Sequence, residues 1–541
     1  MTVWRACRYV LVAVVPAVLW PVVFHAAAPP QTVAASRPIH QPANGLTLAD
    51  GTIVVCAAAT FGDRVPADTT ITSARLVGAN GRLPANCQVE GYVAVPGNTV
   101  NFRLALPASW NGKFYFQGVG GLGGAIGALD VGLTRGYASA STDTGHVASD
   151  PAWGQSRAKE LDYGHRGTHV TAVAAKALTA SFYGRPLAHA YFNGCSNGGR
   201  QAMMEVQRYP ADFDGVIAGD PATGTPMQVG RAVFFQQLLA KQENYLPVEK
   251  IELLSKATLA ACDGKDGLVD GLISDPRPCD FDPASLTCAA GDGPECLTAP
   301  QVRTVQAIYA GLGDAQGRDY APPFPKGHEG GPTGWRGWIT GNEPPLAQPD
   351  GTLAFSARPP SGYALADSNF RFLALEDDAP GFSWRTFRFP QDLPRLKTMT
   401  EILSPLDPDL RPFRKAGGKL IVYHGWSDPG ISAYGTLRYV EEMTKVVGGQ
   451  AAADAFTRTY FVPGMHHCTG GPGVDNFDMF TTLEQWVEQG VPPMRVVASR
   501  IENGAVARSR PLCPHPQAAA YSGSGSVEDA ASFVCQAPAA R

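Results

Sequence analysis

The pentapeptide Gly194-Cys195-Ser196-Asn197-Gly198 constrains this chain more than any other stretch. It fits G-x-S-x-G, a sharp strand-to-helix turn that exposes a serine hydroxyl above a sheet. The turn needs a strand before it and a helix after it. His189–Phe192 reads as that strand and Arg200–Arg208 as that helix. Upstream, Lys113–Gln117 is a strand-like run that ends in glycines, and the alanine-rich stretch Gly167–Tyr183 reads as a helix. The pattern from about 95 to 220 is therefore α/β. A lone G-x-S-x-G is weak, since glycine and serine are common. The cysteine beside the serine is unusual and asks for a partner.

At 541 residues the chain can hold several average domains, or one large domain with an insertion. Between 221 and 400 the character changes. Gly, Pro and Asp rise, four cysteines cluster, and aromatics such as Trp335, Trp338, Phe370, Trp384 and Phe387 are scattered without strand alternation. The α/β pattern resumes at Lys419–His424 and Thr459–Val462, short apolar runs suited to buried parallel strands. The reading is a catalytic α/β domain over 36–220 and 401–541, with a lid inserted over 221–400. Residues 36–50, Pro-rich and polar, read as a flexible start.

Arg5 and Arg8 precede an apolar run from Tyr9 to Phe24, and small residues follow up to Ala35. That is the layout of a secretory signal peptide over 1–35. The rival is a membrane anchor, but the run is shorter than the ~20 residues a span needs and contains Pro16 and Pro21. Of 11 cysteines, Cys7 lies in this leader. The even remainder, in an exported chain, reads as disulfides. Spacing does not fix connectivity. Close neighbours are plausible pairs: Cys56 with Cys87, Cys262 with Cys279, Cys288 with Cys296, Cys513 with Cys535. That leaves Cys195 and Cys468 for each other. A net charge of −4 gives no footprint for nucleic acid or an acidic membrane. The expected place is secreted or periplasmic.

Ester hydrolysis through a serine needs a base for its proton, a carboxylate to orient that base, and donors for the oxyanion. In α/β-hydrolases the acid and then the base follow the serine in the chain. Asp428 in HGWSDPGIS follows one expected strand; His466 and His467 in VPGMHHCTGG follow another. A bridge from Cys195 to Cys468 would tie the residue beside the nucleophile to the residue beside the base, closing a long loop worth roughly 5 kcal/mol at most. Other readings of the same residues are a thiol nucleophile at Cys195, a metal at His466, His467 and Cys468, and a plain turn at Asp428. The loop GVGGLGG, 118–124, can let backbone approach a substrate. The segment CDGKDGLVDGLISDP, 262–276, sets Asp263, Asp266 and Asp270 on a glycine-rich turn, which suits either calcium or a simple acidic turn.

Taken together, GYASASTDTGH, DYGHRGTHVTAVAAKAL, GCSNGGRQAMMEVQRYPADFDGVIAGDPA, HGWSDPGIS, GMHHCTGG and RPLCPHPQAAAYSGSG resemble the tannase and feruloyl esterase family, which also includes mono(2-hydroxyethyl) terephthalate hydrolase. They are spread along the chain outside the lid. The resemblance implies an α/β-hydrolase fold with a large inserted lid. It implies Ser196 as nucleophile, Asp428 as orienting acid and His467 as base, with a disulfide between the flanking Cys195 and Cys468. The oxyanion donors would be the N–H of Asn197 and one from Gly120, with Gly121 possible. The family's structural calcium maps onto the side chains of Asp263, Asp266 and Asp270 and the carbonyls of Leu268 and Leu272. The implied substrates are small esters of aromatic acids, galloyl, feruloyl or terephthalate monoesters, free or attached to plant polysaccharide or tannin. A substrate carboxylate would call for a lid arginine among Arg336, Arg358, Arg371, Arg385 and Arg388. A peptidase or acyltransferase on the same scaffold, or an inactive polyphenol- or carbohydrate-binding protein, are the alternatives to an esterase.

Overall fold

The computed structural model describes residues 44–150, 152–313, 319–349, 353–355, 358–377, 379 and 381–537. The expected leader, 1–35, lies outside them. The described residues form one compact unit.

A sheet of nine strands runs through that unit. In chain order they are β1 (Thr69–Val77), β2 (Asn86–Val95), β3 (Asn98–Pro107), β4 (Lys113–Gln117), β5 (Ala138–Thr142), β6 (His189–Cys195), β7 (Gly215–Gly219), β8 (Lys419–Gly425) and β9 (Thr457–Val462). Their spatial order is β9-β8-β7-β6-β4-β5-β3-β2-β1. The six from β9 to β5 are parallel; β3, β2 and β1 attach by antiparallel pairing. The central parallel strands are covered on both faces, so they read as continuous apolar or small-residue runs. Every residue of β5 and β7 is buried. Phe116 of β4 and Phe192 of β6 stack at 5.5 Å on one face, while Tyr191 packs edge-on against Tyr137 and Phe480 on the other.

Helices α1 (Gly167–Tyr183) and α2 (Asn197–Arg208) lie against this sheet. α2 begins at Asn197, three residues before the sequence suggested, because it starts directly at the tight turn. The start of the chain also differs from expectation. Gly45–Thr47 pairs with Ile53–Val55, and Leu46 enters the main core at 2% exposure. Residues 44–50 are thus held by a short hairpin and one buried leucine rather than free.

The segment 221–400 sits between β7 and β8. Its main helices are α3 (Thr225–Leu239), α4 (Val248–Cys262), α5 (Ala299–Ala310) and α6 (Ser361–Phe372). α5 starts with a capping box, in which the Thr298 hydroxyl accepts from Gln301 N–H and the Gln301 side chain accepts from Thr298 N–H. Most of the scattered aromatics build this segment's own core. Phe370, Phe382, Trp384 and Phe387 form one buried cluster, and Trp335 packs on Tyr309 in another. Five disulfides join Cys56–Cys87, Cys195–Cys468, Cys262–Cys279, Cys288–Cys296 and Cys513–Cys535. That density is the pattern of a protein from an oxidising compartment. Among the described residues no helix is long and apolar enough to cross a membrane.

Candidate active site

The turn at Ser196 is strained by design. Its φ of 64° and ψ of −122° form a conformation that a non-glycine residue adopts only where the surroundings enforce it. Here glycines permit the turn. A Cβ on Gly194 would lie 2.6 Å from the Gly198 backbone, and one on Gly198 would lie 3.2 Å from Gly118. The backbone N–H of Ser196 donates to Gly219 on β7, which anchors the turn to the next strand.

Three side chains of α2 then fix what surrounds the serine. Asn197 Nδ2 donates to the Val119 carbonyl at 2.8 Å, and Gln201 Oε1 accepts from the Val119 N–H at 2.8 Å, so both pin the glycine loop over the turn. Arg200 is fully buried. Its guanidinium donates to Asn197 Oδ1 (2.7 Å), to the carbonyls of Gly164 and Tyr163 (2.7 Å each) and to that of Leu403 (3.2 Å). One buried cation therefore joins the turn, the 162–166 segment and the stretch that returns from the lid to β8. A buried charge is tolerated only with such full hydrogen bonding. Nothing in the local sequence distinguished Arg200 from a surface arginine.

Asp428 and His467 meet at the C-terminal ends of β8 and β9. His467 Nδ1–H donates to Asp428 Oδ2 at 2.7 Å, and Asp428 Oδ1 accepts from the N–H groups of Gly430 (2.7 Å) and Ile431 (2.9 Å). Burial raises the Asp428 carboxyl, but His467 and His424 outweigh it, and the group lies far below the usual carboxylate range. Burial likewise lowers His467, yet the Asp428 charge outweighs that and raises the imidazole above 6.5. The neighbouring His466 is spent elsewhere. Its Nε2–H donates to the His328 carbonyl at 2.8 Å and its Nδ1 pairs with the Thr333 hydroxyl at 2.7 Å, both in the lid. Trp338 of the lid packs edge-on against the His467 ring at 4.6 Å.

The Cys195–Cys468 bridge, Cα–Cα 6.1 Å, ties the residue before the serine to the residue after the histidine. Among the described residues no hydrogen bond joins the Ser196 hydroxyl to His467; the bridge sets the two loops side by side.

A second buried carboxylate, absent from the sequence-based set, underlies the pair. Asp220 follows β7 and holds both neighbouring loops: its oxygens accept from Gly425 N–H (2.8 Å) and from Cys468 N–H (2.5 Å). Ligand atoms of Asp220, Asp428 and His467 all lie within 4.8 Å of one another. Burial raises the Asp220 carboxyl. His424, fully buried, lies 3.4 Å from Asp428 and 3.8 Å from Asp220; burial lowers it, the two carboxylates outweigh this, and its pKa is raised. Asp220 occupies a strand end, the same kind of position that singled out Asp428.

Ser196 and Asn197 open into a cavity between the sheet and the lid. Gly121 and Leu122 line it, whereas Gly120 faces a neighbouring recess on the Gln117–Val131 side. Of the lid aromatics noted in the sequence, Trp338 reaches this cavity, joined by Phe235 and Phe324. None of Arg336, Arg358, Arg371, Arg385 and Arg388 lines it.

The 263–274 loop folds its three aspartates onto its own backbone. Asp263 accepts from the N–H groups of Gly271 (2.9 Å) and Leu272 (3.2 Å), and Asp266 from those of Leu268 (3.2 Å) and Ser274 (2.6 Å). Asp270 faces the buried Arg510, and its carbonyl accepts from Arg508 at 2.8 Å. Gly267 (φ 99°) and Gly271 (φ 78°) make the turns that a side chain would resist. Burial, helped by Asp270 and Asp263, pushes Asp266 up to about 6. The trio is not among the clusters whose ligand atoms lie within 4.8 Å of one another, so the carboxylates are neighbours rather than gathered on one point. The loop packs on the histidine loop. Ile273 N–H donates to His328 Nε2 at 3.1 Å, His328 receives His466, and a Cβ on Gly464 would meet Leu272 at 2.5 Å.

The family model described as tannase and feruloyl esterase matches residues 87–536. A mono(2-hydroxyethyl) terephthalate hydrolase from Piscinibacter sakaiensis is 34% identical, over 84% of this chain and 85% of that protein. Among solved structures, an esterase from Aspergillus oryzae superposes with a TM-score of 0.79 at 26% identity, covering 89% of this chain and 99% of that one. Feruloyl esterase B from the same organism gives 0.76 at 25% identity, covering 88% and 100%.

Proposed function

The chain belongs to the tannase and feruloyl esterase family and is a carboxylic ester hydrolase, and from that premise we propose that it cleaves esters of aromatic acids through an acyl-enzyme at Ser196. The observation that carries this reading is the buried 2.7 Å Asp428–His467 pair, bridged by Cys195–Cys468 to the strained turn of Ser196.

In the proposed reaction Ser196 Oγ attacks the ester carbonyl carbon while His467 Nε2 takes the hydroxyl proton. Asp428 keeps the other ring proton on Nδ1 and balances the imidazolium. The oxyanion is met by the N–H of Asn197, at the start of α2, and by one N–H of the Gly120–Gly121 turn. Gly121 is the better donor of the two, since it borders the cavity. Collapse expels the alcohol, which receives the proton from His467. Water, deprotonated by His467, then releases the acid and restores Ser196. The serine–histidine hydrogen bond forms when substrate arrives, as in sites whose free form holds the pair too far apart.

The loop carrying Asp263, Asp266 and Asp270, with the Leu268 and Leu272 carbonyls, is proposed to hold calcium. Its donors are all hard oxygens and its acidic charge exceeds what Arg510 balances. The ion would brace the loop against the His467 loop and takes no part in the chemical steps. Residues 1–35 are proposed as a cleaved leader for a secreted or periplasmic enzyme, whose substrates include aromatic esters attached to plant polysaccharide or tannin.

The test is hydrolysis of methyl gallate, methyl ferulate and methyl caffeate by the mature protein and by Ser196→Ala. Turnover that vanishes with Ser196 supports the reading. Turnover that survives the substitution refutes it.

A further inference from the structure

Asp220 and His424 lie beside the Asp428–His467 pair and take no step in the proposed reaction. Both are fully buried, and neither lines the cavity. Asp220 is held at φ 35°, a backbone region that residues with a side chain seldom enter. Its carboxylate oxygens accept from Gly425 N–H (2.8 Å) and Cys468 N–H (2.5 Å). Asp428 likewise accepts, from Gly430, Ile431 and His467. Sets of donors like these fit ionised carboxylates, which only accept. Oxygens of the two groups lie within 4.8 Å of each other. Burial works to raise both carboxyls, and like charges this close do not persist together without a cation.

His424 reaches both of them. Its Nε2 lies 3.4 Å from Asp428 and 3.8 Å from Asp220. Nε2–H donates to the Ile431 carbonyl at 2.9 Å, and Nδ1 meets the Thr436 hydroxyl at 2.8 Å, which can accept a second ring proton. The ring can therefore carry both protons with its hydrogen bonds complete. Asp220 acts on the base as well. It holds the N–H of Cys468, next to His467, and its charge adds to that of Asp428 in raising the imidazole.

We propose that Asp220 and His424 form a buried ion pair that positions and charge-balances the base without touching the substrate. His424 is the imidazolium that keeps Asp220 and Asp428 ionised together. Asp220 offsets that imidazolium, so Asp428 is left to hold His467. With His467 neutral, Asp220, Asp428, His424 and His467 carry one net negative charge. When His467 takes the Ser196 proton they carry none. Without Asp220 the same step would run from neutral to a buried positive charge, which a dry site disfavours. The pair thus stabilises the transition state more than the resting site, and only such a difference speeds the chemical step.

This inference rests on the proposed reaction at Ser196, and the experiment separates the two. Hydrolysis of methyl ferulate is followed against pH for the full mature protein, Asp220→Asn, His424→Gln and the double variant, with thermal unfolding as the control for folding. Removing a charge at this range moves a neighbouring pKa by about one unit or more. In Asp220→Asn the acid limb of kcat/KM is expected to move down by about one unit, and kcat to fall about tenfold, since one unit is a factor of ten. His424→Gln leaves two unbalanced carboxylates and is expected to lose about 100-fold. The double variant removes both partners, returns Asp428 and His467 to the wild-type charge, and is expected to regain about tenfold over His424→Gln. A merely structural role predicts losses that multiply. Losses that multiply in a folded double variant, or an acid limb that stays in place in Asp220→Asn, overturn the inference and leave the esterase standing. If the variants do not fold, nitrogen-15 spectra of the histidine-labelled wild type at pH 9 decide. An imidazolium whose ring protons are protected from solvent supports the buried pair, and its absence overturns it. Turnover that survives Ser196→Ala removes the premise, and the inference with it.

Discussion

Asp428→Asn isolates the orienting role of the acid. The Asp428 Oδ1 atom accepts two backbone N–H groups, at 2.7 and 2.9 Å, and Oδ2 faces His467 Nδ1 at 2.7 Å. In the variant the amide oxygen keeps the two backbone donors, so the new NH₂ group must face His467. Two donors cannot face each other. The ring proton moves to Nε2, where the base needs a lone pair for the Ser196 hydroxyl. The site is also stripped of the charge that balances the imidazolium. In a buried triad this combination costs about four orders of magnitude in kcat, or about 5.5 kcal/mol of transition-state stabilisation at 1.36 kcal/mol per decade. The volume is unchanged, so the fold should persist. The assay is steady-state hydrolysis of an aryl ester, with thermal unfolding as the control. Asp220 supplies the refuting outcome, because it is buried within the same cluster. Asp428→Asn within tenfold of wild type, with Asp220→Asn inactive but folded, would transfer the orienting role to Asp220.

Two further outcomes follow from the same geometry. His467 must be neutral to act as base, and the Asp428 charge raises its pKa above 6.5; activity should therefore rise with pH along an acid limb centred above 6.5, which moves down in Asp428→Asn, whereas a limb near pH 4 in a pH–kcat/KM profile would contradict the pairing. Chelation with EDTA should lower the melting temperature by a few degrees, from ~3 kcal/mol of linkage if the site is saturated about 100-fold above its Kd, with Asp263→Asn blunting the response; identical melting with and without EDTA would remove calcium from the account.

Several features were legible in the sequence because they are local. A strand, a glycine turn and a helix around Ser196 follow from some twenty consecutive residues, and the observed β6, turn and α2 have that order. The strands before Asp428 and His467 could be read from short apolar runs, since a parallel strand covered on both faces has no alternation to hide it. Even the choice between His466 and His467 could be framed in sequence, from the cysteine that follows.

What only the tertiary structure decided depends on contacts between distant segments. Arg200 looks like any helix arginine until residues 163, 164 and 403 close around it. Asp220 becomes part of the site because the end of β8 and the loop after β9 donate to it, some 200 and 250 residues further on. The lid's character was the least readable. Its aromatics mostly fill its own core, because an inserted segment this large must bury a core of its own. The residues that line the cavity, Gln236 and Asn369 among them, carry no sequence mark. An amide side chain is the same on a solvated helix as on a buried wall. Only the packing of α3 against α6 buries it.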